Sequence, residues 1–345
     1  MSDNLTYTRA GVDINVTDAA KREMAKSVDC GDNRVLNRLG AFASLVEGHF
    51  PSLKHPIIVF KTDEPGSKQK LAFELGRGPA IAYDLVNHLI NDVIVMGAEP
   101  LYVQDCIVCG AIDPEMATDL VSQLAAACRD QGCVLVGGET SVQPGMVAEG
   151  VYVLSASAIG VVDKERIIDG SAIAEGDLVL GIASNGLHTN GYTLVRRLLQ
   201  ENPSLKDCPI DGDTFINVVM RPHVCYYKAV RGLFGHAALK GLAHITGGGI
   251  QDNLCRILPA GLDAAVDLAS LEVPEVFRAI RRAGNVPAAD MLRTFNMGVG
   301  LTVVCSPEAV QEVATHLAAH NCATRQIGKI VKGSKQVRFR GAITW

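Results

Sequence analysis

The sequence has no surplus of positive charge and no long apolar run. Lys and Arg total 32 against 37 Asp and Glu, a net charge of −5 at pH 7. No basic block or basic stripe studded with aromatics occurs, so a nucleic-acid backbone finds no electrostatic footprint. The longest apolar stretch, Ile81 to Ala98, is broken by Asp84, Asn87, His88, Asn91 and Asp92. No segment therefore reaches the roughly 20 apolar residues of a membrane span. The first residues, Met1 to Thr6, lack the charged and apolar regions of a signal peptide.

Metal-binding cysteine patterns are also scarce. Ten cysteines in 345 residues, without an export signal, read as reduced thiols in a cytoplasmic protein. Cys106 and Cys109 form the one CxxC, inside the apolar, strand-like run Leu101 to Val108. No second CxxC or CxxH follows at zinc-ligand spacing, so these thiols, like Cys128 and Cys133, read as small packed hydrophobes.

What is present describes an ordinary two-domain chain. Hydrophobic residues make up 48% and charged residues 20%, a globular composition, and 345 residues exceed one ordinary core. Ile57 to Phe60 predicts a strand that ends in a polar loop. Ile81, Leu85, Leu89, Val93 and Met96 recur at helical spacing, and Gly97 with Pro100 ends that helix. A strand over Leu101 to Val108 follows, then a helix opened by Asp113 and Pro114 and running toward Gly132. Val134 to Val136 and Val151 to Val162 predict further strands. Asp169-Gly170 and Glu175-Gly176-Asp177 are turn signals, and we divide the chain there into 1–170 and 171–345. The second half offers strands at Leu178 to Ile182, Ala264 to Leu268 and Leu301 to Cys305. Helices are predicted over Tyr192 to Leu199 and around Leu254 and Ile257. Each half reads as an α/β or α+β unit.

Chemistry-bearing residues cluster in five places. Thr62-Asp63-Glu64-Pro65-Gly66-Ser67-Lys68 follows a strand and combines a carboxylate, a glycine, a hydroxyl and a lysine, which suits phosphate and Mg2+. It is not a P-loop, and the same residues would also make a solvated turn. Asp84, His88 and Asp92 fall at intervals of four on one helix face, and such a polar stripe must be solvated, paired or bound to something. Gly137-Gly138-Glu139-Thr140 places a carboxylate at a strand end, as a ligand contact or one half of a salt bridge. Gly186-Leu187-His188-Thr189-Asn190-Gly191 sets a histidine, a hydroxyl and an amide just before a helix, where unpaired N–H groups favour phosphate. His244-Ile245-Thr246-Gly247-Gly248-Gly249 carries three glycines whose entropic cost implies positive φ or room for a ligand.

Taken in order, these segments resemble the phosphoribosylformylglycinamidine cyclo-ligase (aminoimidazole ribonucleotide synthetase) family. The resemblance also rests on Ala10-Gly11-Val12-Asp13-Ile14, Asn91-Asp92, Gly97-Ala98-Glu99-Pro100 and Pro144-Gly145-Met146. It extends through Asn253, Arg256, Pro274-Glu275-Val276-Phe277 and Arg293-Thr294-Phe295-Asn296-Met297-Gly298-Val299-Gly300. It implies an α/β (α+β) fold of two domains. Residues 1–170 would bind ATP and form a homodimer through a β-barrel shared between subunits, and 171–345 would form a mixed sheet with helices. It further implies that formylglycinamidine ribonucleotide and ATP give aminoimidazole ribonucleotide, ADP and phosphate, by way of a phosphoryl imidate. Carried over by position, Asp63, Asp92 and Glu139 would serve Mg2+. Asp63, Gly66, Ser67, Lys68, Asp92, Thr189, Asn190, Thr246, Gly247, Gly248 and Gly249 would hold ATP or substrate phosphates, and Lys68 and His188 would act in catalysis. No nucleic acid and no membrane enter as partners.

One departure stands out. The family usually reads Thr-Asp-Gly-Val-Gly-Thr-Lys where this chain has Glu64 and Pro65, which stiffens the loop and adds a negative charge. An inactive dimeric paralogue would fit that change. A related kinase, of the thiamine-monophosphate kinase kind, is the other alternative, and it should lack Arg293 to Gly300 and the His188 loop in this form. Selenophosphate chemistry wants a reactive cysteine beside a glycine-rich loop, a setting Cys30 lacks. Hydrogenase maturation wants a C-terminal cysteine, whereas this chain ends in Trp345.

Overall fold

A computed structural model describes residues 6–28, 31–37 and 41–345; Cys30 lies outside them. Two compact units result. One comprises the chain up to Ile90 together with Pro100–Val161, the other Asn91–Glu99 together with Val162–Trp345.

The first unit opens with α1 (Ile14–Ser27), whose N-cap Asp13 accepts from the Asn15 and Val16 N–H groups. β1 (Pro56–Asp63), α2 (Lys68–Glu74) and α3 (Ile81–Ile94) follow. Then come β2 (Glu99–Cys109), α4 (Pro114–Asp130), β3 (Val134–Val142) and β4 (Tyr152–Asp163). α4 begins as its sequence demands: Asp113 caps the Glu115 and Met116 N–H groups, and Pro114 takes the first turn, where no donor is needed. Ile81, Leu85, Leu89 and Val93 of α3 are buried, while Met96 beyond its end is 37% exposed.

The strands form one sheet in the order β1-β4-β2-β3, with β2 and β3 parallel. Leu101, Tyr102, Val134, Val136 and Val161 make a core cluster on it, joined by Val35, Val46, Phe50 and Leu53. β1 and β3 are its two edges. The barrel expected from the resemblance is thus not closed within one chain: among the described residues the sheet is open. Cys106 and Cys109 stand three apart on β2, so their side chains leave opposite faces and cannot share a metal.

The second unit is built on a six-stranded sheet, so its strands and helices are more numerous than the sequence suggests. In order they are β5 (Leu178–Ala183), α5 (Tyr192–Glu201), the short pair β6 (Pro209–Ile210) and β7 (Asp213–Thr214), α6 (Phe215–Val219) and α7 (Tyr227–Val230). β8 (Leu239–His244), α8 (Gly249–Leu254), β9 (Leu262–Asp267), α9 (Glu275–Gly284) and α10 (Ala288–Thr294) come next. β10 (Val299–Cys305), α11 (Val310–Ala319), β11 (Thr324–Lys332) and β12 (Val337–Arg340) complete it. The strand order is β12-β9-β11-β5-β10-β8, antiparallel throughout except for β12 beside β9. β10 is buried at every position, which is why apolar residues fall on both of its faces around the buried Thr302 rather than alternating with exposed polar ones. Among the described residues no helix is long and apolar enough to cross a membrane.

Candidate functional site

In the first unit, Asp63 ends β1 in a cage of donors. Its carboxylate lies 2.9 Å from Lys61 Nζ and 3.2 Å from His88 Nε2, and accepts the Glu64 N–H at 2.8 Å. Burial works to raise its pKa, but His88, Lys61 and the Glu64 amide outweigh it and hold the carboxyl well below the usual range. Glu64 is exposed and Pro65 buried, Gly66 sits at φ 61°, and Ser67 precedes the first turn of α2.

Lys68 does not face solvent. It is wholly buried, with Nζ 2.7 Å from Asp84 Oδ1. Burial pulls the ammonium's pKa down and the Asp84 charge opposes that pull. Gln69 beside it accepts the Leu154 N–H at 2.8 Å, pinning α2 to β4. The polar stripe on α3 is therefore paired rather than solvated: Asp84 with Lys68, and His88 with Asp63.

Glu139 stands on β3 with its side chain 66% exposed, 3.7 Å from Lys21 Nζ. It borders a cavity of about 410 Å3 that is also lined by Ser44, Asp105 and Thr140. Asp105 was not singled out in the sequence, although it is the one charge inside an apolar strand. Burial, with Glu139 adding like charge, pushes its pKa up to about 7 against a backbone hydrogen bond that lowers it. Asp63 and Glu139 occupy opposite edge strands, and three strand spacings are about 14 Å, so one chain does not bring them to one ion.

In the second unit a chain of imidazoles forms. Asp92 Oδ1 accepts from His244 Nδ1 at 2.7 Å, and His244 Nε2 lies 2.9 Å from His223 Nε2. His223 Nδ1 is 3.4 Å from Thr189 Oγ1, and the His188 ring stacks on that of His223 with centroids 4.0 Å apart. Asn91, at the end of α3, donates to Val224 O and accepts the Tyr226 N–H, fixing the segment after His223.

The His188 loop is rigidly supported. His188 itself adopts φ 60°, a left-handed conformation uncommon for a non-glycine residue. The Tyr192 hydroxyl reaches the His188 and Val219 carbonyls. Asn296 donates to Gly186 O at 2.9 Å, and Ser184 donates to both Gly186 O and Asn296 Oδ1. Gly300 has to be glycine: a Cβ there would lie 1.9 Å from the Tyr226 hydroxyl and 2.7 Å from His188 Cε1. The segment Asn296 to Gly300 thus shapes the histidine loop from behind.

The triple-glycine loop is built for close approach. Gly248 and Gly249 have φ 92° and 63°, and a Cβ on Gly249 would meet Leu292 O at 1.9 Å. Asn253 Nδ2 donates to Thr246 O, Gly247 O and Gly249 O. The Gly248 and Gly249 N–H groups are already given to Arg293 O and Thr246 O. Asn190 Oδ1 lies 3.3 Å from where a Gly247 Cβ would stand, so the two loops meet. His223, which joins them, carried no sequence signal beyond being a histidine.

Known proteins divide the chain in a similar way. Residues 53–162 match the family described as AIR synthase related protein, N-terminal domain, and 174–340 its C-terminal domain. The phosphoribosylformylglycinamidine cyclo-ligase of Chromobacterium violaceum is 41% identical over 98% of this chain and 96% of its own length. That of Methylobacillus flagellatus is 42% identical over 95% of each. The chain belongs to the phosphoribosylformylglycinamidine cyclo-ligase family. The fold is shared more widely. Thiamine-monophosphate kinase from Stenotrophomonas maltophilia aligns with TM-score 0.68 at 17% identity, over 94% of this chain and 97% of that one. The E. coli hydrogenase maturation protein HypE aligns with TM-score 0.67 at 17% identity over 94% of each.

Proposed function

We propose that this chain closes the imidazole ring of aminoimidazole ribonucleotide from formylglycinamidine ribonucleotide, using ATP, as a cytoplasmic homodimer in purine biosynthesis. The single observation that carries the reading is full-length similarity to enzymes named for this reaction, at 41% identity. The amide oxygen of the substrate is a poor leaving group. Transfer of the γ-phosphoryl group to it gives a phosphoryl imidate and ADP. The amidine nitrogen then attacks the imidate carbon, the carbon–oxygen bond breaks, and phosphate departs with that oxygen. Little covalent work is left to the protein, so catalysis rests on positioning and charge.

The residues fit a nucleotide held with Mg2+. Asp63 remains ionised among its donors and Asp92 is fixed by His244, so each offers a carboxylate of the kind Mg2+ accepts. When bound, the ion would neutralise phosphate charge, with Asp63, Asp92 and Glu139 as its carboxylates. Gly66 and Ser67 would meet the phosphates, and Lys68, buried on Asp84, would hold that loop in place. Thr189, Asn190 and Thr246 to Gly249 would contact substrate or ATP phosphates, and His188 would orient the reacting amide. The exposed Glu64 leaves the Asp63 cage intact, which favours an active enzyme over an inactive paralogue.

The open sheet supports dimerisation. Ile58 and Phe60 on β1 and Val153 on β4 are 41%, 73% and 40% exposed. They share a face with the Thr62–Ser157 hydrogen bond, and apolar side chains in such a row are best covered by a second copy. If Asp63 and Glu139 serve one ion, the second carboxylate comes from Glu139 of the partner subunit.

Turnover with formylglycinamidine ribonucleotide and MgATP tests the reading. Appearance of aminoimidazole ribonucleotide with equal ADP and phosphate supports it. ATP use only with another acceptor favours a kinase, and no turnover favours an inactive paralogue.

A further inference from the structure

We propose that His188, His223 and His244 form a binding site for a zinc-class divalent cation, distinct from any magnesium held with nucleotide. All three side chains are buried, and one ring nitrogen from each lies within 4.8 Å of the other two. They come from separate pieces of chain: the loop before α5, the segment after α6, and the last residue of β8.

Two of the three imidazoles are also turned as ligands are, with the far ring nitrogen on an oxygen. Metal-bound imidazoles use one ring nitrogen for the metal and donate the other N–H to an oxygen that fixes the tautomer. His244 does this with Asp92: a carboxylate only accepts, so the 2.7 Å contact places the proton on Nδ1 and leaves Nε2 as the lone-pair atom. His223 turns Nδ1 toward Thr189 Oγ1 and Nε2 toward the same point as His244 Nε2, 2.9 Å away. Two imidazole nitrogens on a tetrahedral zinc at 2.0–2.1 Å stand about 3.3 Å apart, so the pair needs to open by only a few tenths of an ångström. His188 stacks on His223 and is held there by its left-handed backbone and by Gly300 behind it. One of its ring nitrogens already lies within 4.8 Å of the other two donors and would be the third ligand, with a fourth position left open.

Imidazole ligands select the cation. Nitrogen donors suit zinc, cobalt and nickel, whereas magnesium prefers oxygen and keeps its waters. A bound ion would tie the His188 loop to β8 through the segment carrying His223, giving the site a structural role that needs neither nucleotide nor substrate.

The test uses the full chain without nucleotide. Cobalt titration should give visible d–d absorption of a tetrahedral ion at one equivalent per chain, displaced by zinc and untouched by a large excess of magnesium. His223→Asn should lose that absorption and at least tenfold in affinity while keeping the native circular dichroism. His188→Asn should show the same loss, which guards against one variant failing to fold. Zinc should also raise the melting temperature of the unaltered chain and not that of His223→Asn. Cobalt binding that persists in both variants, a thiolate charge-transfer band, or no binding at all would overturn the site. The last result would assign the imidazoles to a proton-sharing chain in which His223 Nε2–H donates to His244 Nε2. The titration contains neither nucleotide nor substrate and ring closure is assayed on the unaltered chain, so failure of the metal site and failure of ring closure are told apart.

Discussion

Asp92 Oδ1 accepts a 2.7 Å hydrogen bond from His244 Nδ1, tying the end of α3 to the end of β8. Asp92 is a partly exposed carboxylate, at 22%, on a nearly buried imidazole. Its charge faces two ways, toward His244 and toward solvent, where phosphate and its cation would bind. Asp92→Asn keeps the shape and removes the charge. We expect kcat/KM to fall by roughly 100-fold or more with the fold intact, as for a lost preorganised charge. Steady-state assay beside circular dichroism checks this; near-normal activity would remove Asp92 from the site.

The opposite-edge placement of Asp63 and Glu139 makes a sharper prediction. Asp63→Asn and Glu139→Gln should each abolish turnover in a homodimer. Mixed after unfolding and refolding together, they should recover about a quarter of normal activity, because half the dimers are mixed and each holds one intact site. Absence of recovery would mean that each chain completes its own site.

Lys68 and Asp84 form a buried pair whose two halves depend on each other. Lys68→Met leaves the Asp84 charge uncompensated and should cost about 3–5 kcal/mol, as should Asp84→Leu. The double variant should recover most of that loss, because replacing both charges removes both desolvation penalties. Urea denaturation of the three variants measures the coupling. Additive losses would show that the pair does not interact.

Asp105 predicts a pH dependence of stability. Its carboxyl holds a proton up to about pH 7 in the folded chain, owing to burial and to Glu139, against about 3.9 when unfolded. The folded state therefore binds more protons between those values. Its stabilising contribution is complete below the unfolded pKa and is lost as pH rises through about 7, on the order of 4 kcal/mol in all. Asp105→Asn should flatten this slope and be the more stable chain at about pH 8. Denaturation midpoints at both ends of the range decide it, and parallel pH profiles would contradict it.

Local signals in the sequence were legible where they are self-contained. Asp113 with Pro114 announces α4, the spacing of Ile81, Leu85, Leu89 and Val93 announces α3, and Leu301, Val303, Val304 and Cys305 announce β10. α1 escaped notice because its residues are largely polar and its buried face is narrow. β11 escaped because Arg325, Gln326, Lys329 and Lys332 leave it no regular apolar alternation and its pairing with β5 slips between Gln326 and Gly328. At the candidate site the loops were legible and the partners were not. Nothing local tells that Lys68 turns inward to Asp84, that His88 meets Asp63, or that His223 lies between Thr189 and His244. Those pairings span from 16 to 34 residues and are set by tertiary packing. The strand order that separates Asp63 from Glu139 is likewise a property of the sheet and of no single segment.

The most direct measurement follows the substrate's amide oxygen. Formylglycinamidine ribonucleotide labelled there with a heavy oxygen isotope should, on turnover with ATP, yield inorganic phosphate carrying the label. Unlabelled phosphate, with the heavy oxygen recovered in water instead, would contradict phosphorylation of the amide and with it the proposed route of ring closure.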